Sequence, residues 1–253
     1  MRLIIVCLLF ILCGPRGAVF AADGGAFNQN AQEALAALKS GDEKKFFELM
    51  LKDAEGGSPE SQMVVASIYE RGMFGAAQDN AKVLYWYERS ASQGYSRAEA
   101  RMAEICIQGK LVPRDLPASV EWLKKSASHG YAKANDYLGD SYLAGRGVEK
   151  DMKVAISYYL QAANANILRS QIKLSGFYLR GDGVPADAEE SYFWLYTAYK
   201  NPARAEFGDL SSTVEGMKKK LAPEIATRVE KRADLFAASI PKVNNGKPHA
   251  AVK

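Results

Sequence analysis

Four carboxylates stand in one register along this chain: Asp79, Asp115, Asp151 and Asp187, each 36 residues from the next. Aspartates can serve as metal ligands, as general acids and bases, or as caps that accept hydrogen bonds from the free N–H groups of a helix start. Convergence on a metal or a substrate needs them close together. Units that repeat at this spacing stack about 10 Å apart, given helix–helix distances of about 8–10 Å, so these four would stand apart. Capping is the expected role, with Asp187 and Glu190 in the spacing of a capping box. The other groups that could do chemistry are sparse. Two histidines, His129 and His249, lie far apart, and no Ser/His/Asp arrangement, phosphate loop or HExxH motif is present. Cys106 sits between Ile105 and Ile107 in a row otherwise held by tyrosines, which predicts a buried, inert thiol. No catalytic residue, metal site or cofactor is expected.

The elements that carry these aspartates repeat with them. Tyr158 aligns with Trp86, Trp122 and Trp194, and Gly145 with Gly109, Gly181 and, after a one-residue insertion, Gly72. A fixed period with two helical patterns per unit marks a repeat protein. The first helix of each unit (A) has rows at i, i+4 and i+8: Ser61, Ala98, Ala134 and Ser170; Val65, Met102, Leu138 and Leu174; Tyr69, Cys106, Tyr142 and Tyr178. Beside them runs a small-residue row, Ala66, Ala103, Gly139 and Ser175. A glycine turn follows, and the aspartate opens the second helix (B). Trp86-Tyr87, Trp122-Leu123, Tyr158-Tyr159 and Trp194-Leu195 are then its anchors in a core shared between units. On that reading Trp122→Ala costs about 3–5 kcal/mol.

These features place clear repeats at 57–93, 94–129, 130–165 and 166–200, after a divergent one over 30–56 and before two helices around 213–221 and 224–239 that close the array within 201–240. Residues 1–21 read as a secretory signal: Arg2, then an apolar run from Leu3 to Leu12, then a cleavage site ending at Ala21. That run is shorter than the about 20 residues of a membrane-spanning helix. Residues 22–29 are expected to be a flexible lead-in and 241–253 a disordered tail. Removing 1–21 takes away Arg2, Arg16 and two of the three cysteines, so an exported chain would carry no disulfide framework. The net charge of +4 is too mild to argue for nucleic acid.

The pattern from the Ala/Leu-Gly rows through the glycine turn, the aspartate and the aromatic pair resembles the Sel-one-like repeat (SLR) family, relatives of tetratricopeptide repeats. The resemblance covers about 57–200, and Leu221-Ala222-Pro223-Glu224 is similar to the closing helix of bacterial arrays of that family. It implies an all-α fold, an α/α solenoid of antiparallel helix hairpins, and a scaffold for protein–protein interaction in an exported bacterial protein, periplasmic or secreted. The disulfide-stapled members linked to β-lactam hydrolysis are not matched, because the paired cysteines are missing.

A partner surface is sought where the A helices keep polar residues. Across the units that stripe contains Arg71, Arg97, Arg101, Lys133, Arg169, Lys173 and Arg180 against Glu60, Glu104 and Asp140, with Tyr137 among them. A groove lined by the A helices would take an acidic or carboxylate-bearing protein segment, arginine acting as a two-pronged donor. A second basic zone holds Lys218, Lys219, Lys220, Arg228, Lys231 and Arg232, with Lys242, Lys247 and Lys253 in the tail, and suggests a cell-wall or polysaccharide-associated protein as the alternative. A monomer is expected.

Overall fold

The computed structural model describes residues 29–203 and 208–240. The expected signal, most of the lead-in and the tail lie outside the described residues. Twelve helices and no strand are found among the described residues: α1 Gln29–Ser40, α2 Glu43–Glu55, α3 Pro59–Arg71, α4 Asn80–Ser92, α5 Ser96–Gln108, α6 Leu116–Ser128, α7 Ala132–Ala144, α8 Met152–Asn164, α9 Leu168–Arg180, α10 Ala188–Lys200, α11 Ser211–Lys218 and α12 Pro223–Ser239. The fold is all-α, and consecutive helices pair as antiparallel hairpins in the manner of an α/α solenoid. The chain divides into two compact units, unit 1 ending at Tyr131 and unit 2 beginning at Ala132.

Local chemistry accounts for the hairpin. Asp79, Asp115, Asp151 and Asp187 are the N-caps of α4, α6, α8 and α10, each side chain accepting a backbone N–H of the first turn. The backbone N–H of each aspartate in turn donates to a carbonyl near the end of the preceding A helix: Tyr69, Cys106, Tyr142 and Tyr178, at 2.9–3.3 Å. One residue thus caps the B helix and ties it to its partner. The capping-box expectation at Asp187 is corrected: the Glu190 carboxylate pairs with Arg232 instead, because the Asp187 N–H is already taken by Tyr178.

The turn needs glycine where the chain turns left-handed. Gly109 caps α5 at φ 68°, and an added Cβ would press on the Arg114 backbone. The inserted residue of the first turn works differently. Phe74 adopts φ 55° and is buried, with its ring edge-on to Phe46 of α2 at 4.9 Å. Core burial offsets the strain of a non-glycine residue in that region.

In unit 1 the core joins Phe46 and Met50 of α2, Val65 and Ile68 of α3, Trp86 and Tyr87 of α4, and Met102 and Ile105 of α5. Cys106 is buried beside them, and burial followed by the charge of Asp115 pushes its thiol pKa up. In unit 2 the core joins Tyr159 of α8, Leu174 and Phe177 of α9, and Tyr192, Trp194 and Leu195 of α10. Val214 of α11 and Ala226, Val229 and Ala233 of α12 close it. Gly139 lets α7 meet α8: a Cβ there would overlap the Tyr159 ring. Two expected core residues differ. Trp122 is only half-buried and holds Lys125 over its ring at 4.5 Å, and Tyr158 is half-buried, stacked on Tyr142 at 5.5 Å. Trp122 still packs against the core of unit 1, at its edge, so the cost of Trp122→Ala is expected toward or below the low end of about 3–5 kcal/mol.

Candidate functional site

Each unit carries one charged cluster on its A helices, built on a tyrosine of a B helix. In unit 1 that tyrosine is Tyr87 of α4. Its hydroxyl donates to Glu70 Oε2 at 3.1 Å and lies 2.9 Å from Ser67 Oγ. Arg101 of α5, in the next repeat, places its guanidinium over the Tyr87 ring, 5.5 Å from the centroid. The guanidinium pairs with Glu70 at 2.6 Å and also with Glu104. Burial alone would lower the Arg101 pKa, but Tyr87, Glu104 and Glu70 outweigh it and hold the pKa above its ordinary value. Burial pushes the Tyr87 phenol up.

In unit 2 the tyrosine is Tyr159 of α8, whose hydroxyl donates to Asp140 Oδ1 at 2.7 Å. Lys173 of α9 takes the register position of Arg101, with its ammonium 4.4 Å from the Tyr159 ring centroid. It donates to Asp136 at 3.0 Å and to Asp140 at 2.5 Å. Arg169 closes the cluster on the same carboxylates at 3.2 and 2.7 Å. Asp136 is 3 % exposed and also accepts the Ser170 hydroxyl at 2.7 Å. Burial pushes the Asp140 carboxyl up, but hydrogen bonds from Lys173 and Tyr159 and the charges of Lys173 and Arg169 prevail and lower its pKa. Burial and the Asp140 bond raise the Tyr159 phenol.

Of the stripe residues, the structure brings Arg101 and Glu104 together in unit 1 and Asp140, Arg169 and Lys173 together in unit 2. It leaves Arg180 apart, exposed and paired with Asp182 at 2.6 Å. Lys133 and Arg71 are exposed; Arg97, Tyr137 and Glu60 are half-buried. The stripe is therefore largely charge-compensated within each unit. Glu70 and Asp136 supply the compensating charge, with the Tyr87 and Tyr159 hydroxyls bonding Glu70 and Asp140, and sequence reasoning missed them in those roles. One signal was available: Tyr87 and Tyr159 alternate with Leu123 and Leu195 in one column, so every second repeat differs.

A buried polar column lies at the starts of the A helices. Gln62 donates to the Ala54 carbonyl at 3.0 Å and accepts from Gln93 at 2.7 Å. Gln171 likewise bonds the Ala163 carbonyl at 3.3 Å and accepts from Asn201 at 3.2 Å. In the second repeat the pair is Glu99, 1 % exposed, with both carboxylate oxygens 2.8–2.9 Å from His129 Nδ1. This explains one of the two histidines as a partner for a buried acid.

The C-terminal bases have local work. Lys218 pairs with Glu230 at 2.8 Å, Arg228 with Glu189 at 2.6 Å, and Arg232 with Glu190; the last two fasten α12 to α10. Lys242, Lys247, Lys253 and His249 lie outside the described residues. Among the described residues no group of His, Cys, Asp and Glu is arranged to hold a metal ion, and no helix is long and apolar enough to cross a membrane. Exposed large apolar side chains do occur on the A helices. Ile107 is 41 % and Leu179 55 % exposed, at one register position in units 1 and 2.

A family model for the Sel1 repeat matches residues 59–95, 96–131, 132–167 and 168–202. Among solved structures, the chain is similar to a Sel1 repeat protein from Oxalobacter formigenes. The two share 26 % identity and a TM-score of 0.68, with 87 % of this chain and 93 % of that chain covered. It is also similar to a protective antigen present in uropathogenic Escherichia coli strains that displays an SLR fold. That match has 28 % identity and a TM-score of 0.63 over 83 % of this chain, and it spans 45 % of the antigen's length. No curated protein matches the chain.

Proposed function

Because this chain belongs to the Sel1 repeat family, whose members generally act as protein–protein interaction scaffolds, we propose that it is an exported adaptor. It holds a segment of a partner protein on the exposed faces of its A helices. The observation that carries this reading is the exposure of Ile107 and Leu179 at one register position, each in a unit whose neighbouring charges are already paired. Apolar side chains left in water beside a fixed polar frame form the usual anchor of an interface. The paired bases make charge a secondary contribution. In unit 2, carboxylates of the partner reach the exposed Lys133 and Arg169 while an apolar side chain covers Leu179; in unit 1, Ile107 offers the same kind of apolar anchor. Export to the periplasm or beyond rests on Arg2 and the apolar run Leu3–Leu12.

The test is recovery of partners from envelope extracts with the parent protein and with a Lys133→Glu, Leu179→Glu variant. Both positions are exposed, so the fold is retained. Loss of the recovered partner supports the reading. A partner held equally by parent and variant removes the A-helix faces from it.

A further inference from the structure

Within each unit, one A helix meets the next along a single flank. On α7 that flank holds Asp136 and Asp140, which accept Lys173 and Arg169 of α9. On α3 it ends at Glu70, which accepts Arg101 of α5. The same register on α9 falls at Ile172, Gly176 and Leu179, spaced i, i+4 and i+7 along one stripe of the helix. No carboxylate remains in it. Leu143, at the end of the flank that α9 lies beside, is half-buried and packs against the core of unit 2. Leu179, its counterpart on α9, is 55 % exposed. The closing helix is fastened elsewhere, to α10 through Arg228 and Arg232.

The two filled flanks show what such a surface takes. In both, the occupant is an α-helix lying alongside, and it brings a base because the flank is acidic. The α9 flank has the opposite chemistry. Ile172 is half-buried and Leu179 exposed, and between them Gly176 has no side chain of its own. Arg180 uses that room: its Nη1 lies 3.1 Å from where a Cβ on Gly176 would stand, while its Nε donates to Asp182 at 2.6 Å. The flank thus reads apolar, cationic, apolar. A matching helix carries two apolar side chains one heptad apart with a carboxylate between them, the carboxylate meeting the outer N–H groups of the guanidinium fork.

We propose that the outer flank of α9 receives an amphipathic α-helix of the partner, whose apolar side chains cover Ile172 and Leu179 and whose carboxylate bonds Arg180. This inference rests on the interaction reading above and makes the occupant a helix of stated pattern, stacked as a further A helix would be.

The experiment is a methyl NMR titration of the full chain with a stapled helical peptide carrying Leu, Glu and Leu at i, i+4 and i+7, and with the same peptide carrying Lys in place of Glu. The expected result is saturable shifts of the Ile172 and Leu179 methyls with the Glu peptide. Binding of the Lys peptide is expected to be about three- to tenfold weaker, the range of a partly exposed ion pair. Arg180→Gln, a change at an exposed side chain that leaves the core untouched, removes that preference. No saturable shift, equal binding of the two peptides, or a preference that survives Arg180→Gln overturns the proposal. Shifts of the same methyls on raising the protein concentration without peptide also overturn it, since a second copy then covers the flank. None of these outcomes alters recovery of the envelope partner by the Lys133→Glu, Leu179→Glu variant, so the two readings fail separately.

Discussion

The two units are variations on one two-repeat plan. In both, a tyrosine on the first repeat's B helix (Tyr87, Tyr159) lies under a base from the second repeat's A helix (Arg101, Lys173). The acids that satisfy the base differ. Unit 1 sets two glutamates, each about one-third exposed, around one arginine. Unit 2 sets two aspartates, one nearly buried, between two bases. The hairpins are also closed differently. Ser90 and Ser126 in unit 1 donate to the Pro59 and Ser96 carbonyls at 2.6 and 2.7 Å, whereas unit 2 has the fully buried Ala162 and Ala198 at those positions. The repeat therefore dictates backbone and slot, and the side chain in each slot remains free to change. Differences in recognition between units belong to those slots.

The contrast in tryptophan burial should break most visibly. Trp194 is 4 % exposed and packs on Phe193 and Phe236, so Trp194→Ala is expected to cost about 3–5 kcal/mol. Trp122→Ala should cost less, since its ring packs at the edge of the core and keeps part of its surface in water. Chemical denaturation followed by helicity compares them, and equal losses would erase the distinction. Next in size is the ionisable pair peculiar to unit 1. His129→Ala strands the buried Glu99 carboxylate without its imidazole partner and is expected to cost about 1–3 kcal/mol. The double change Glu99→Gln, His129→Gln restores the amide pair of Gln62 with Gln93 and should fall within about 1 kcal/mol of the parent. A double variant no better than His129→Ala would show that the slot demands charge.

The smallest effect is acid sensitivity in unit 2. Asp140 has a lowered pKa in the folded state, so its contribution is present above the unfolded carboxylate range and is lost as pH falls through the folded value. Melting temperature measured down the acid range should therefore fall more steeply for the parent than for Asp140→Asn. Parallel curves would mean that the cluster does not couple folding to Asp140.

What could be read without coordinates is local or periodic. The cap at Asp151 depends on its own side chain and the N–H groups of Lys153 and Val154, so spacing alone reveals it. The boundaries Ala132–Ala144 of α7 follow from a small-residue helix that ends at a glycine. The charged stripe was harder. Counting bases against acids along the A helices finds an excess, yet Arg101 meets Glu70, 31 residues earlier, and Lys173 meets Asp136, 37 residues earlier. Pairing across repeats is invisible to periodicity within one helix. Phe74 was equally hidden: its turn reads as a degraded glycine loop until the ring is seen against Phe46.

The account depends most on which face of the helices meets the partner. A photoreactive amino acid placed singly at Ile107, Leu179, Glu88 or Glu121, followed by irradiation in envelope extract, compares exposed A-helix sites with exposed B-helix sites. The expected result is a crosslinked product from 107 and from 179 and none from 88 or 121. Crosslinks confined to 88 and 121, or equal at all four positions, would contradict it.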